Sequence, residues 1–302
     1  MKKALHYSGF FIFLFFLCNN ASAYVTTSGN VSGQYWHNTD TYYVNGSLTV
    51  DAGTTFEIQA GTRVKFAPGA YIAVYGTMIA NGTTVSNIIF TSSDDNTVGE
   101  VIAGSDGDPN PGDWNYIQFY GSSGAEPQIE HCILRYGGNN ATAIFALVYV
   151  NSGYFRDSEV SYSESAGIIV QNSTFVFSNL SLQSNGQHGI RASYCDLEIT
   201  NSSFSNNDGY AAYCISMSNQ YYAGNSGSGN TINAFAIGGN IDQDYTLSES
   251  VCGFPFVLEG NVLLTENHTM TIPAGEVIKA NGGGLQIYGT LNAIGTISQN
   301  IV

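Results

Sequence analysis

The segment FRDSEVSYSESAGIIVQNSTFVFSNLSLQSNGQHGIRASYCDLEITNSSF, residues 155–204, repeats a pattern of apolar and small side chains about every 22 residues. A regular interval of this length is typical of proteins built from stacked structural repeats. Polar side chains follow the same interval at Asp157, Asn179 and Asn201. The apolar columns at this interval are Phe155, Phe177, Ile199 and Tyr221; Val160, Leu182 and Phe204; and Val148, Val170, Ala192 and Cys214.

Each repeat is too short for a strand plus a helix and lacks helical periodicity. Short apolar alternations, such as residues 167–171 and 189–193, are separated by Asn, Ser and Gly, which favour turns. Three short strands per repeat would stack on the next repeat at about 4.8 Å. We therefore predict an all-β fold, a right-handed parallel β-helix: a single-stranded solenoid with about 22 residues per coil. A tight hexapeptide repeat, typical of the left-handed form, is not seen.

Two stretches of the chain share one frame. Residues 61–90 and 275–302 align so that Gly76 meets Gly289, at a spacing of about 213 residues. This predicts a first β-helix module over residues 24–243, with an N-terminal cap that includes Trp36, and the start of a second, truncated module over residues 244–302. The sequence is accordingly expected to be the N-terminal part of a longer protein.

The N-terminus has the layout of a secretory signal peptide. Lys2 and Lys3 precede an apolar run, residues 9–17, and Ala21-Ser22-Ala23 offers small residues for cleavage. We predict a signal peptide over residues 1–23, cleaved after Ala23, and a secreted, extracellular or cell-surface protein. No later segment has the apolar length of a transmembrane helix, so no transmembrane segment is expected after cleavage.

Charge and composition limit the classes of partner that this chain is expected to bind. Only 10% of residues are charged and the net charge is −15, where about 25% charged residues is typical. A strongly negative chain repels phosphates, so no nucleic acid partner is expected. The chain is expected to be a monomer with a surface rich in Asn, Ser, Thr and Tyr. The sequence leaves open whether the four cysteines after residue 23 form disulfides or remain buried thiols: Cys132, Cys195, Cys214 and Cys252.

Three segments resemble a known group. Residues 48–92, the stretch PGDWNYIQFYGSSG (residues 111–124) and HCILRYGG (residues 131–138) are similar to secreted bacterial right-handed parallel β-helix repeat proteins of the pectate-lyase-like superfamily. The resemblance implies the fold over nearly the whole chain after residue 23. It implies no specific enzyme family, because the group is functionally diverse.

The segment of residues 91–114 is the candidate metal site. Its acids stand among Gly, Pro and Asn, and alternate-residue oxygen ligands are a feature of calcium loops. A solvated excursion between coils is the competing interpretation. If the loop binds an ion, the expected cation is Ca²⁺, and the candidate ligands are Asp94, Asp95, Asp106, Asp108, Asn110 and Asp113.

Catalysis has one weak candidate pair. Glu164 and Asp208 are two coils apart in one column, and hence about 9–10 Å apart if the coils stack. That separation suits the two carboxylates of an inverting glycoside hydrolase. An accidental arrangement of surface acids explains it equally simply. The nearby His188 is interpreted as a structural turn residue rather than a catalytic one.

Outward aromatic and basic side chains are the candidate ligand contacts. Arg191 and Tyr213 share one outward column, and Tyr221 and Tyr222 lie near the predicted module boundary. Tyrosine rings stack well on sugars. The favoured interpretation is a non-enzymatic, adhesin-like or stalk-like β-helix protein that binds a polysaccharide or cell-surface glycan. A polysaccharide lyase or glycoside hydrolase on the same scaffold, and a purely structural spacer, remain the alternatives.

Overall fold

The computed structural model describes residues 24–139, 142–217 and 219–302, so the predicted signal peptide lies outside the described residues. The first strands are β1 (Tyr24–Asn30), β2 (Tyr35–Trp36), β3 (Thr41–Val50), β4 (Thr55–Ile58), β5 (Arg63–Phe66), β6 (Tyr71–Val74), β7 (Thr77–Asn81), β8 (Ile88–Ser92), β9 (Ile117–Tyr120), β10 (Glu126–Glu130), β11 (Cys132–Arg135) and β12 (Phe145–Val148). The middle strands are β13 (Tyr154–Arg156), β14 (Glu159–Ser161), β15 (Ile168–Gln171), β16 (Thr174–Ser178), β17 (Ser181–Gln183), β18 (Ile190–Ser193), β19 (Asp196–Thr200), β20 (Ser203–Ser205), β21 (Tyr210–Ile215) and β22 (Gln220–Ala223). The last strands are β23 (Ser226–Ser228), β24 (Ile232–Ile241), β25 (Tyr245–Thr246), β26 (Phe256–Leu264), β27 (Thr269–Ile272), β28 (Ile278–Asn281), β29 (Leu285–Ile287) and β30 (Thr290–Ala293).

Helix in the described residues is confined to a 3₁₀ turn, Gly121–Ser123, and one short helix, α1 (Glu249–Cys252). The strands pair in parallel and form a parallel β-solenoid of about 11 turns with about 23 residues per coil. This confirms the all-β solenoid predicted from the repeat. None of the helices in the described residues has the length and apolar character needed to cross a membrane.

Each coil from β4 to β23 contributes one strand to each of three faces, taken in chain order. Face 1 is an eight-stranded sheet, and faces 2 and 3 run side by side in a 19-stranded sheet. Corner 1 joins face 1 to face 2, corner 2 joins face 2 to face 3, and corner 3 returns to face 1. Face 1 contains β2, β4, β7, β10, β13, β16, β19 and β22; face 2 contains β5, β8, β11, β14, β17, β20 and β23; face 3 contains β6, β9, β12, β15, β18, β21 and the middle of β24.

Vertical registry places the predicted columns in the core. Phe155 pairs with Phe177, and Phe177 pairs with Ile199, all with side chains buried. Stacking identical apolar positions removes side chains from water on both sides, and burying one large side chain stabilises the fold by about 1.5–3 kcal/mol. The column of Val160, Leu182 and Phe204 is formed in the same way.

One column departs from the strict 22-residue interval. Ile199 pairs with Tyr222, not with Tyr221, because the coil between them is one residue longer. Tyr222 is therefore 4% exposed and packs in the core, while Tyr221 is 56% exposed. The prediction that Tyr221 continues the column of Phe155 and Ile199 was wrong. The column of Val170 likewise begins at Leu147, because Leu147 and not Val148 pairs with Val170.

The three corners are built from residues in the left-handed region. Asp157, Asn179 and Asn201 have φ between 50° and 55° and form one column at corner 1. Asn and Asp tolerate this conformation better than most residues because their short side chains bond locally. The polar column in the sequence therefore marks a repeated bend of the backbone.

A ladder of buried asparagines lines the inside of corner 2. Asn185 donates through Nδ2 to Oδ1 of Asn207 at 2.9 Å, and Asn207 donates to Oδ1 of Asn230 at 2.8 Å. The backbone N–H groups of Asn185 and Asn207 donate to the same oxygens. Asn185 and Asn207 are each 1% exposed. The ladder satisfies the polar groups that this wide corner would otherwise leave buried without partners.

The two copies of the shared frame fold alike, for backbone reasons. Gly61 and Gly275 have φ of 88° and 89°, which other residues rarely adopt. A Cβ on Gly76 would lie 2.3 Å from the carbonyl oxygen of Asp51, and one on Gly289 would lie 2.2 Å from that of His268. The repeated glycines are thus required where one coil passes close to the previous one.

The faces shift at the end of the first repeat series. The middle of β24 continues face 3, because it pairs with β21 on one side and with the first half of β26 on the other. The first half of β26 pairs in turn with β28. By sequence, β28 is the counterpart of β5 on face 2, so this strand of the second copy takes a position on a different face. Strands β25, β27 and β30 form a new three-stranded sheet. The module boundary at 243/244 stays a prediction.

The four described cysteines are buried and free. Burial raises the pKa of the Cys214 thiol to about 12 and that of Cys195 to about 11. Such thiols remain protonated and pack as small apolar side chains. The sequence left open whether these cysteines form disulfides or remain buried thiols, and the structure shows buried thiols.

Candidate functional site

The acidic segment of residues 91–114 folds back over face 2. It leaves β8 and reaches as far as β3, where the backbone N–H of Glu100 donates to Oγ1 of Thr41 at 3.0 Å. The Nζ of Lys65, on β5, donates to the carbonyl oxygen of Glu100 at 2.6 Å. The loop therefore covers the outer surface of the first coils and encloses a lysine.

Asp95 is the structural centre of this loop. It is 1% exposed, and its Oδ2 accepts from Nε and Nη2 of Arg135 at 2.9 and 2.6 Å and from Oγ1 of Thr91 at 2.6 Å. Its Oδ1 accepts from the N–H and the hydroxyl of Thr97. Burial alone would raise the pKa of Asp95, but hydrogen bonds from Thr91 and Thr97 and the charge of Arg135 outweigh it and hold the pKa below its usual value. Both carboxylate oxygens of Asp95 accept hydrogen bonds from protein donors, so they are not available to a calcium ion, contrary to the prediction.

Lys65 explains why acids are needed here. Its side chain is 0% exposed, and burial lowers its pKa, while the nearby carboxylates of Asp95 and Glu100 act in the opposite direction. Lys279, its counterpart in the second copy, is exposed. Sequence reasoning missed this cluster. The available signal was that Lys65 and Arg135 fall in one column of face 2, on either side of Thr91.

The other predicted calcium ligands lie in the outer part of the loop. Oδ2 of Asp113 accepts from Ser92 and from the N–H of Asn110, and Oδ1 of Asp106 accepts from the N–H of Asp108. Burial, together with the charges of Asp106 and Asp113, raises the pKa of Asp94. Calcium binding by these remaining residues stays a prediction.

Glu164 and Asp208 occupy the predicted column. The N–H of Asp208 donates to the carbonyl oxygen of Asn185, and that of Gly186 to Ser163, so positions 164, 186 and 208 follow one another along the stack. Both acidic residues are exposed. The carboxylate of Glu164 leans on the loop, where a Cβ added to Gly112 would lie 2.8 Å from its Oε2. Glu164 therefore contacts the loop rather than a substrate pocket shared with Asp208.

The outer surface of face 3 carries a denser constellation. Arg191 pairs with Tyr213 on the neighbouring strand, and the ring of His188 stacks on Tyr213 with centroids 4.9 Å apart. The Nδ1 of His188 accepts from the backbone N–H of Tyr210 at 3.0 Å. The hydroxyl of Tyr210 bonds to the carboxylate of Glu259.

Neither His188 nor Tyr210 is set up as a general base. Burial, with a smaller effect of the Arg191 charge, lowers the pKa of His188 to about 4, so the imidazole is neutral at pH 7. Its Nδ1 lone pair is already used, and the proton of this tautomer lies on Nε2. Burial and the bond to Glu259 raise the pKa of Tyr210 to about 12. This surface therefore offers a cation, a hydrogen-bond donor and aromatic rings.

A groove opens over the last strands of face 1, next to the new sheet that begins with β25. Its volume is about 260 Å³. Tyr221, 56% exposed, and Val176, 46% exposed, supply its apolar floor. Its polar lining includes Asp196, Glu198, Asn219 and Gln243. Tyr222, the other predicted contact from this segment, is buried with its hydroxyl donating to Gln220 at 3.0 Å. The prediction that Tyr222 contacts a surface ligand was wrong.

The model of a protein family described as a pectate-lyase-like β-helix domain matches residues 29–187. This chain belongs to that family. No curated protein and no solved structure matches the chain. The matched part of the pectate-lyase-like β-helix domain includes the acidic loop with Lys65, Asp95 and Arg135. Arg191, Tyr213 and Tyr221 lie beyond residue 187, on coils that continue the same ladders, whereas Val176 on the floor of the groove lies within the matched part.

Proposed function

We propose that this chain is a non-enzymatic, exported or cell-surface β-helix module that binds a polysaccharide at the groove on face 1. The observation that carries the proposal is the exposed ring of Tyr221, which lies two strands from the exposed Val176 on the floor of an open groove. A sugar has apolar faces that pack on aromatic rings, and hydroxyl groups around its edge that need polar partners. The groove supplies both.

The lining favours a neutral polysaccharide. Asp196 accepts from the N–H of Asn219 at 2.9 Å and is held in place by it, while Glu198 pairs in register with Tyr221 on the next strand. Carboxylates accept hydrogen bonds from hydroxyl groups, and they repel the carboxylates of an acidic polysaccharide. Stacked strands place successive binding positions at about 4.8 Å intervals, which gives an extended polymer a regular surface to follow.

The proposal of a binding module, rather than a lyase or hydrolase, is supported by the roles of the titratable groups. Glu164 contacts the loop, His188 uses its free nitrogen for a backbone bond, and Tyr210 is bonded to Glu259. General acid–base catalysis requires a group with a free lone pair and a pKa near the working pH. The arrangement suits recognition better than proton transfer.

Replacing Tyr221 with Ala is expected to weaken polysaccharide binding about tenfold, since loss of one stacking contact and its apolar area costs on the order of 1–2 kcal/mol. Binding would be measured by affinity electrophoresis and calorimetry against neutral and acidic plant and microbial polysaccharides. Tyr288→Ala is the matched control, because Tyr288 is 64% exposed and does not line the groove.

Each alternative has its own outcome in the same experiment. Release of new reducing ends or of unsaturated sugars from any of these polysaccharides would replace the proposal with the enzyme alternative. Equal binding by the wild type and Tyr221→Ala would move the contact away from face 1. Lack of binding to every polysaccharide tested would favour the structural spacer.

A further inference from the structure

Glu130, His131 and Asp157 bring three metal-ligating atoms together at corner 1, on two neighbouring coils. The imidazole nitrogen and the two carboxylate oxygens lie within 4.8 Å of one another, and the three side chains are half-buried. Oε1 of Glu130 is 3.7 Å from Nε2 of His131. We propose that Glu130, His131 and Asp157 bind a divalent transition-metal ion of the Zn²⁺ class.

Both carboxylates are oriented as metal-bound carboxylates usually are. Oε2 of Glu130 accepts from Nη2 of Arg156 at 2.9 Å, which leaves Oε1 directed at His131. Oδ1 of Asp157 accepts from Nδ2 of Asn179 at 3.0 Å, and its Oδ2 lies 4.0 Å from Nε of Arg156, beyond hydrogen-bond distance. Hydrogen bonds from neighbouring groups to the outer atoms of ligands fix their orientation and strengthen metal binding.

The backbone conformation fixes the positions from which the side chains of His131 and Asp157 extend. His131 and Asp157 have φ of 48° and 50° and occupy the same bend on successive coils. A cavity of about 310 Å³ opens beside them and is lined by His131, Asp157 and Asn179, so an ion can reach the ligands from solvent. A tetrahedral ion with ligands at about 2.0–2.2 Å needs donor atoms roughly 3.4 Å apart, so binding would draw these three atoms, now within 4.8 Å of one another, closer together.

The ligand types select the metal. An imidazole with two carboxylates suits Zn²⁺ and its neighbours, whereas Ca²⁺ takes six to eight oxygen ligands and rarely a nitrogen. Arg156 lies beside both carboxylates, with Nη2 2.9 Å from Oε2 of Glu130 and Nε 4.0 Å from Oδ2 of Asp157, and it offsets part of their negative charge. The site would then hold a water molecule at its open position, since three protein ligands leave one vacant.

The experiment uses the chain purified without a histidine tag, titrated with Zn²⁺ by calorimetry and with Co²⁺ by absorption spectroscopy. We expect one tight site, and Co²⁺ bands of a four- or five-coordinate ion. His131→Asn keeps a residue that tolerates the bend and removes the imidazole. It is expected to weaken Zn²⁺ binding by at least about 100-fold, since changes to groups around metal ligands alone cost about 10–100-fold.

Two further variants separate the metal site from general effects. Asn179→Ser is expected to weaken Zn²⁺ binding about tenfold by freeing Asp157, and His268→Asn, a histidine outside the cluster, should bind as the wild type does. Equal Zn²⁺ affinity in His131→Asn and the wild type, or no binding tighter than about 1 mM, would overturn the proposal. So would a calcium response larger than the zinc response and lost in His131→Asn. None of these outcomes depends on polysaccharide binding.

Discussion

Replacing Asn207 with Ala is expected to lower the free energy of unfolding by about 3–5 kcal/mol, since each buried polar group left without a partner costs about 1–3 kcal/mol. Oδ1 of Asn207 accepts from the N–H and the side chain of Asn185. Its Nδ2 donates to Asn230 and to the carbonyl oxygen of Leu182. The substitution therefore removes four buried hydrogen bonds in the middle of corner 2 and leaves the backbone N–H of Asn185 without its acceptor, while the backbone N–H of position 207 still donates to Asn230.

Chemical unfolding followed by circular dichroism would measure this loss. Asn240→Ala, at an exposed position of β24, is the matched control and should change stability by less than about 0.5 kcal/mol. A loss below about 1 kcal/mol in Asn207→Ala would mean that water replaces the ladder at no cost, contrary to the argument from burial. Because repeats couple mainly to their neighbours, unfolding of this variant should start in the coils that contain Asn185, Asn207 and Asn230.

Replacing Asp95 with Ala is expected to destabilise the chain by about 2–4 kcal/mol at pH 7, since breaking a buried ion pair costs about 3–5 kcal/mol. The lower range applies because Arg135 keeps 22% of its side-chain surface exposed. The variant leaves the cation of Arg135 and the hydroxyl groups of Thr91 and Thr97 without their common acceptor.

The effect of Asp95 has a definite pH dependence. A carboxylate whose pKa is lower in the folded chain stabilises the fold above the pKa of the unfolded state, about 3.9, and loses that contribution as the pH falls through the folded value. The difference between the wild type and Asp95→Asn should therefore be constant near neutral pH and shrink below about pH 4. Asp108→Ala, at an exposed loop position, serves as the control and should match the wild type at every pH.

If the difference in stability between the wild type and Asp95→Asn instead grew as the pH fell, the carboxylate would be protonated in the folded chain and the interpretation of its pKa would be wrong.

The Asp95→Ala variant also tests whether the loop shields Lys65. Loss of Asp95 should uncover Lys65, and chemical labelling of that amine should accelerate relative to the exposed Lys279, which is labelled in the wild type already.

The repeat predicted most of the fold because an inward position must be apolar in every coil. Phe155, Phe177 and Ile199 carry that requirement, and the polar column of Asp157 and Asn179 carries the requirement for a bend. A one-residue difference in coil length is harder to detect. Two adjacent tyrosines, Tyr221 and Tyr222, fit the inward position equally well, and only the ladder pairing distinguishes them.

The sites were less predictable, because they depend on contacts between distant parts of the chain. Asp95 was expected to face an ion in solvent, but the loop brings it to Arg135, a contact that composition and spacing do not encode. The groove at Tyr221 exists because face 1 ends beside a new sheet, which no local motif marks. The cluster of His131 and Asp157 could have been found, since the two residues occupy one corner on successive coils.

The position of β28 has a consequence for equivalent side chains in the two copies of the shared frame. β5 lies on face 2, while its counterpart β28 continues face 3. The equivalent positions Lys65 and Lys279 consequently meet different surroundings: the acidic loop covers Lys65, whereas Lys279 is exposed. One repeated stretch of sequence thus gives a sealed position in the first copy and a solvent-facing one in the second, so duplicating the segment does not duplicate its surface.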